Sequence, residues 1–134
     1  MHYLLDTNIC IYLIKKRPPG VLERFRQHSP KDVAISIITL FELQYGVEKS
    51  QYPKRSKDAL AKFLLPLNLI TLDRSSAIEA AIIRVQLEKK GMAIGPYDLL
   101  IAGLARSRDM TLVTNNIKEF GRIGKLKVQD WATE

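Results

Sequence analysis

A single cysteine, Cys10, rules out an internal disulfide framework, and the natural setting for such a chain is a reducing cytoplasm. Ile9 and Ile11 flank Cys10, which favours core packing over nucleophilic chemistry. The two histidines, His2 and His28, share no ligand spacing with each other or with Cys10, which argues against zinc. No apolar run approaches the length that spans a bilayer, so no membrane partner is expected. The N-terminus lacks a basic leader, and Asp6 and Asn8 interrupt its apolar stretch, so no targeting segment is expected either. Repeats, low-complexity tracts and linkers are missing, and residues 1–134 read as one domain, large enough to bury a core without staples. Acids are the minority charge: 14 against 21 Lys and Arg, for a net +7. That excess points to a polyanionic partner, nucleic acid first.

The most informative stretch is Tyr3-Leu4-Leu5-Asp6-Thr7-Asn8. A short apolar run, read as a buried strand, ends on an acid; Ile9 to Ile14 then opens a helix. Asp6 therefore sits at the carboxyl end of a strand, where open α/β sheets bind ligands and where helix N-termini favour anions. Asp, Thr and Asn are also good helix caps, and capping accounts for this stretch as well as catalysis does.

Further strands are predicted at 33–36, 69–72, 111–114 and 127–129, and helices at 7–16, 21–27, 36–49, 54–65, 73–91 and 96–108, with a helical turn near Lys118. Strands separated by helices predict an α/β fold, a mostly parallel central sheet with helices on both faces. Trp131 reads as an anchor packing the tail onto the body.

Three acids stand in apolar surroundings. Asp6 is the first. Glu42 shares its helix face with Ile38, Thr39, Tyr45 and Gly46; it needs a partner or a metal unless it reaches water at the rim of that face. Asp98 falls in the first turn of a helix opened by Pro96. The helix dipole alone would account for an acid there, but its ridge carries Ile101, Ala102 and Ala105 and looks inward. A fourth acid, Glu119, follows Thr114-Asn115-Asn116 beyond a predicted strand and reads as readily as a surface residue. Two carboxylates ~4 Å apart repel by about 4 kcal/mol at an effective dielectric of 20. If the acids converge, a cation has to join them, and oxygen ligands select magnesium or manganese. A carboxylate-held metal in a basic protein suggests phosphodiester hydrolysis.

Leu5-Asp6-Thr7-Asn8, Glu42 in a mid-chain helix, Asp98 after Gly95-Pro96-Tyr97, and Thr114-Asn115-Asn116 with Glu119-Phe120 together resemble the PIN-domain ribonucleases, over the full length of the chain. Within them the chain looks like the VapC toxins of bacterial toxin–antitoxin systems. The resemblance implies that Asp6, Glu42 and Asp98 bind Mg2+ or Mn2+, that Glu119 joins them in catalysis, and that Asn8, Thr114 and Asn116 support them. It implies an RNA substrate, a homodimer and a small VapB-type antitoxin through which alone DNA is met. Gly46 to Gln51 and Ala105 to Arg108 look like the enterobacterial subgroup that cuts initiator tRNA in the anticodon stem-loop; unstacked nucleotides of a loop can enter a cleft that a duplex cannot. The chain departs from the family pattern at Asn116, where many relatives carry Asp, which leaves a second metal site in question and Glu119 as its substitute.

Two other readings compete. A phosphatase of the haloacid dehalogenase type also begins with a strand-terminal Asp, but wants a second Asp where Asn8 stands. A non-catalytic RNA- or protein-binding module could keep the same fold with a weak site.

Overall fold

The computed structural model describes residues 2–132 of the chain. Among them, short strands form a parallel sheet: β1 (Tyr3–Leu5), β2 (Val33–Ser36), β3 (Asn68–Ile70), β4 (Thr111–Val113) and β5 (Lys127–Gln129). The helices between them are α1 (Thr7–Lys15), α2 (Pro19–Arg26), α3 (Ile37–Glu48), α4 (Pro53–Leu64), α5 (Arg74–Lys89), α6 (Pro96–Ser107) and the short α7 (Ile117–Phe120). This is the α/β architecture expected from the sequence.

Both faces of the sheet are covered, so its central strands β1, β2 and β4 are mostly apolar rather than alternating with polar residues. Alternation along β1 sends Leu4 to one face and Leu5 to the other. Leu4, Ala34 and Leu112 pack with Ile83 and Leu87 of α5 and Ile101 of α6. Leu5, Ile35 and Val113 pack with Ile9 and Leu13 of α1, Leu43 of α3 and Leu60 of α4. Cys10 is fully buried in this second layer, as core packing requires. Trp131 is also buried, stacked on His28 and against Tyr3, and so ties the tail to the sheet.

The strand order is β3-β2-β1-β4-β5. Chain order therefore reverses at β1, and β1 and β4 flank the place where ligands of open α/β sheets bind. The register is in phase: Leu5 lies opposite Ile35 on one side and Val113 on the other. The residues that follow, Asp6, Ser36 and Thr114, are all buried and form a polar row at the carboxyl edge.

The predicted boundaries hold within two residues, and the shifts have local causes. α2 opens at Pro19 rather than Val21, because proline suits the first helical position. β3 starts at Asn68 rather than Leu69; the Asn68 amide donates to the carbonyls of Lys31 (3.0 Å) and Val33 (3.1 Å), pinning the strand's start to β2. Asp73 caps α5 by accepting from the Ser76 amide at 2.9 Å. Pro96 at the start of α6 sets the entry of the helix that carries Asp98.

Helices α5 and α6 approach closely at Gly103. A β-carbon there would lie 2.7 Å from Ala80 Cβ, from Ala80 N and from the Ser76 carbonyl oxygen. Two of those atoms are backbone and cannot turn aside. Gly103→Ala is expected to destabilise the protein by about 1–3 kcal/mol, the usual cost of overpacking. Urea unfolding measures this; an unchanged midpoint would contradict the close approach.

Candidate active site

Asp6 is both cap and site residue. It ends β1 and serves as N-cap of α1, but its Oδ1 accepts from the adjacent Thr7 amide (2.8 Å) rather than from deeper in the turn, where a capping side chain ordinarily bonds. Its Oδ2 accepts from the Thr114 hydroxyl at 2.8 Å. Two donors on a buried carboxylate favour its charged form. Burial outweighs them, and with the charge of Glu42 it raises the Asp6 carboxyl above its usual range.

Glu42, half-buried on α3, is reached from α1: Thr7 Oγ1 donates to Glu42 Oε1 at 2.6 Å and lies 3.2 Å from Thr39 Oγ1. Thr39 is fixed in turn by the start of α3, where its amide donates to Ser36 Oγ at 3.0 Å. Thr7 thus carries two jobs: its amide holds Asp6 and its hydroxyl holds Glu42.

Asp98 lies in the first turn of α6, where the helix dipole favours a carboxylate. Its carboxyl is nevertheless raised to about 6, first by burial and then by the charges of Asp6, Glu119 and Glu42. The dipole loses to its surroundings. Asp98 is therefore the group that senses all three other acids, which arrive from β1, α3 and α7.

The fourth position differs from the sequence reading. Asn116 and Glu119 stand there as alternatives in the sequence; in the fold they are partners. Asn116 Nδ2 donates to Glu119 Oε1 (2.7 Å), and Asn116 Oδ1 accepts from the Glu119 amide (3.3 Å). Both ends of the Asn116 side chain are thus occupied by Glu119. The Asn116 amide donates to Thr114 Oγ1 at 3.0 Å, so Thr114 links Asp6 to this corner. Asn8 points elsewhere: it is exposed, and its Nδ2 meets Asn115 Oδ1 at 3.5 Å, while Asn115 donates to the Tyr12 hydroxyl at 3.0 Å.

Thr7 and Thr39, which hydrogen-bond beside Glu42, were not among the site residues expected from the sequence. Thr39 had a signal, since it shares a helix face with Glu42. Thr7 had none beyond its place after Asp6, because a capping Thr and a tethering Thr look the same in a sequence.

The described residues include no group of three His, Cys, Asp or Glu side chains already disposed to hold an ion. The donor set still suits a hard cation. Magnesium keeps several waters and takes one or two carboxylates directly, so a ready-made cage is not required. Asp6 and Asp98 are the two whose anionic forms burial and neighbouring charge disfavour, and a divalent cation would relieve both.

A groove of about 970 Å3 lies away from the acids, between α1 and α4; Leu13, Ile14 and Phe63 line it, with Lys16, Arg55 and Lys62 beside them. None of the four acids borders it.

The PIN domain family model matches residues 3–126. The chain is 43% identical over 132 residues to the tRNA(fMet)-specific endonuclease VapC of Shigella flexneri, covering 98% of this chain and 99% of that one. It is 42% identical over 131 residues to Ribonuclease VapC2 of Haemophilus influenzae, covering 98% of each. Among solved structures, that of DNA-bound VapBC from Salmonella typhimurium superposes with a TM-score of 0.92 at 43% identity, covering 98% of each chain.

The raised Asp98 carboxyl has a consequence for stability. Asp98 holds its proton more tightly folded than unfolded, so the folded state binds more protons between 3.8 and about 6, and stability falls as pH rises through that window. Asp98→Asn removes this loss. In metal-free buffer the variant is expected to melt higher than the parent above pH 6, with the advantage fading as pH falls towards 3.8. Equal melting temperatures across the range would contradict the assigned environment.

Proposed function

Because the chain belongs to the PIN-domain family, and within it to the VapC ribonucleases, we propose that it is a metal-dependent endoribonuclease toxin whose active site is the cleft of Asp6, Glu42, Asp98 and Glu119. The observation that carries this reading is the environment of Asp98, a carboxyl pushed up to about 6 by burial and by three other acids drawn from separate elements. Such crowding of like charge is costly to a fold and is characteristic of functional sites. The proposed unit is the whole chain, residues 1–134.

Asp6 and Asp98 would hold Mg2+ or Mn2+, with Glu42 completing the set. When bound, the ion supplies an activated water and stabilises charge on the phosphate. Thr7 and Thr114 keep the Glu42 and Asp6 carboxylates aimed by hydrogen bonds. Asn116 holds Glu119 at the edge of the cleft, where it can orient a water or accept a proton.

The substrate reading is looped RNA, and initiator tRNA first, from the name borne by the Shigella relative. A VapB-type antitoxin is the expected partner, since solved relatives are VapBC complexes, and DNA would be met through it. The groove between α1 and α4, apolar within and bordered by Lys and Arg, offers a segment of that partner a seat. A homodimer is also proposed. Ile78, Ile82 and Val85 form an exposed apolar stripe at helical spacing along α5, as a self-complementary interface would need.

A non-catalytic binding module is the alternative, and one assay separates the two. Purified protein is expected to cut tRNA in Mg2+ and to stop on chelation with EDTA, with activity restored by Mg2+ or Mn2+. Asp6→Ala and Asp98→Asn are expected to lower single-turnover cleavage at least about a hundredfold, the scale of general acid–base and electrostatic terms. Glu119→Gln is expected to lose less than Asp6→Asn. Full cleavage by folded Asp98→Asn protein would overturn the assignment of the site, and no Mg2+-dependent cleavage by the parent would favour the binding module.

A further inference from the structure

The proposed cleft has a difficulty with its own substrate: four acids repel phosphate. Affinity for RNA has to come from cations elsewhere, and the topology lays out a path for them. β4 and β5 are parallel neighbours, so the crossover of residues 114–126 starts at the cleft and ends at the opposite edge of the sheet. Along it lie Lys118, Arg122 and Lys125, with Glu119 as its acid. Lys118 and Lys125 are exposed and Arg122 partly so.

The path ends in a groove of about 710 Å3 between the ends of α5 and α6, where Lys89, Lys90, Arg106 and Lys125 meet Glu79 and Asp109. The two acids are already paired, Glu79 with Arg106 and Asp109 with Lys127. Lys89, Lys90 and Lys125 have no ion-pair partner among the described residues. The C-termini of α5 and α6 add about half a negative charge each at this end, which three lysines outweigh. The surplus is positive, and it is separated from the cleft by about 10 Å of strand plus the flanking turns.

We infer that Lys118, Arg122, Lys125, Lys89 and Lys90 form a track for the phosphate backbone of the RNA beyond the cut, so that the protein grips a paired stem while the cleft takes the unpaired loop. The inference rests on the ribonuclease reading. Under it, RNA too short to leave the cleft gains nothing from the track, whereas a stem-loop gains affinity that falls with salt.

The test compares Lys89→Gln/Lys90→Gln/Lys125→Gln with the parent on two probes, a stem-loop RNA and a short unpaired RNA of the loop sequence. Binding is measured in the Asp98→Asn background across a salt series, and cleavage in the otherwise unaltered chain. Three phosphate contacts at roughly 0.7–0.9 each should lower the salt slope for the stem-loop by about 2–3. Cleavage of the short RNA should be unchanged, which also certifies the fold and the cleft. An unaltered slope, or an equal loss on both probes, overturns the track. If the parent cuts neither probe in Mg2+, it is the ribonuclease reading that fails.

Discussion

Carboxylates do not gather unaided. A pair ~4 Å apart repels by about 4 kcal/mol at an effective dielectric of 20, a large fraction of the whole stability of an ordinary domain. This fold nevertheless brings Asp6, Glu42, Asp98 and Glu119 to one edge of its sheet, close enough that Asp98 feels each of the others. Three features hold them there. The in-phase register of β1, β2 and β4 ends the strands together, which puts Asp6 and Thr114 side by side. Threonine hydroxyls then fix Asp6 and Glu42, and an asparagine amide fixes Glu119. The tight seat of α6 on α5 at Gly103 sets where the helix bearing Asp98 begins.

Much of this was legible in the sequence because it rests on local patterns. An acid closing an apolar run reads as a strand end, and Gly95-Pro96 reads as a helix start with Asp98 in its first turn. The sheet's parallel character follows from alternation of strands and helices. What could not be read depends on contacts between distant segments. Thr7 meets Glu42 across 35 positions and Thr114 meets Asp6 across 108, and neither periodicity nor capping rules reach that far. The Asn116–Glu119 pair escaped for a different reason. Residue type marked Asn116 as a weak stand-in for an acid, whereas its amide serves to hold one.

The distribution of charge follows from the same constraint. A site made of acids cannot attract a polyanion, so the net +7 of the chain has to be placed around the cleft rather than in it. Lysines at the far edge of the sheet and along the β4–β5 crossover answer that need. Cys10 fits the same electrostatic picture from the core side. Burial and the nearby Asp6 charge push its thiol well above the ordinary range, which keeps it an inert packing group beneath the site.

The central claim is that Asp6, Glu42 and Asp98 hold a divalent ion in one cleft, with Glu119 at its edge. Titration of the protein with Mn2+, followed by paramagnetic broadening of its backbone amide signals, locates that ion directly. Broadening is expected to centre on Asp6, Asp98, Thr114 and Glu119, and to spare Lys89, Lys90 and Lys125 at the opposite edge. Broadening spread evenly over surface acids such as Asp58 and Glu88, or an unchanged spectrum at the cleft, would contradict it.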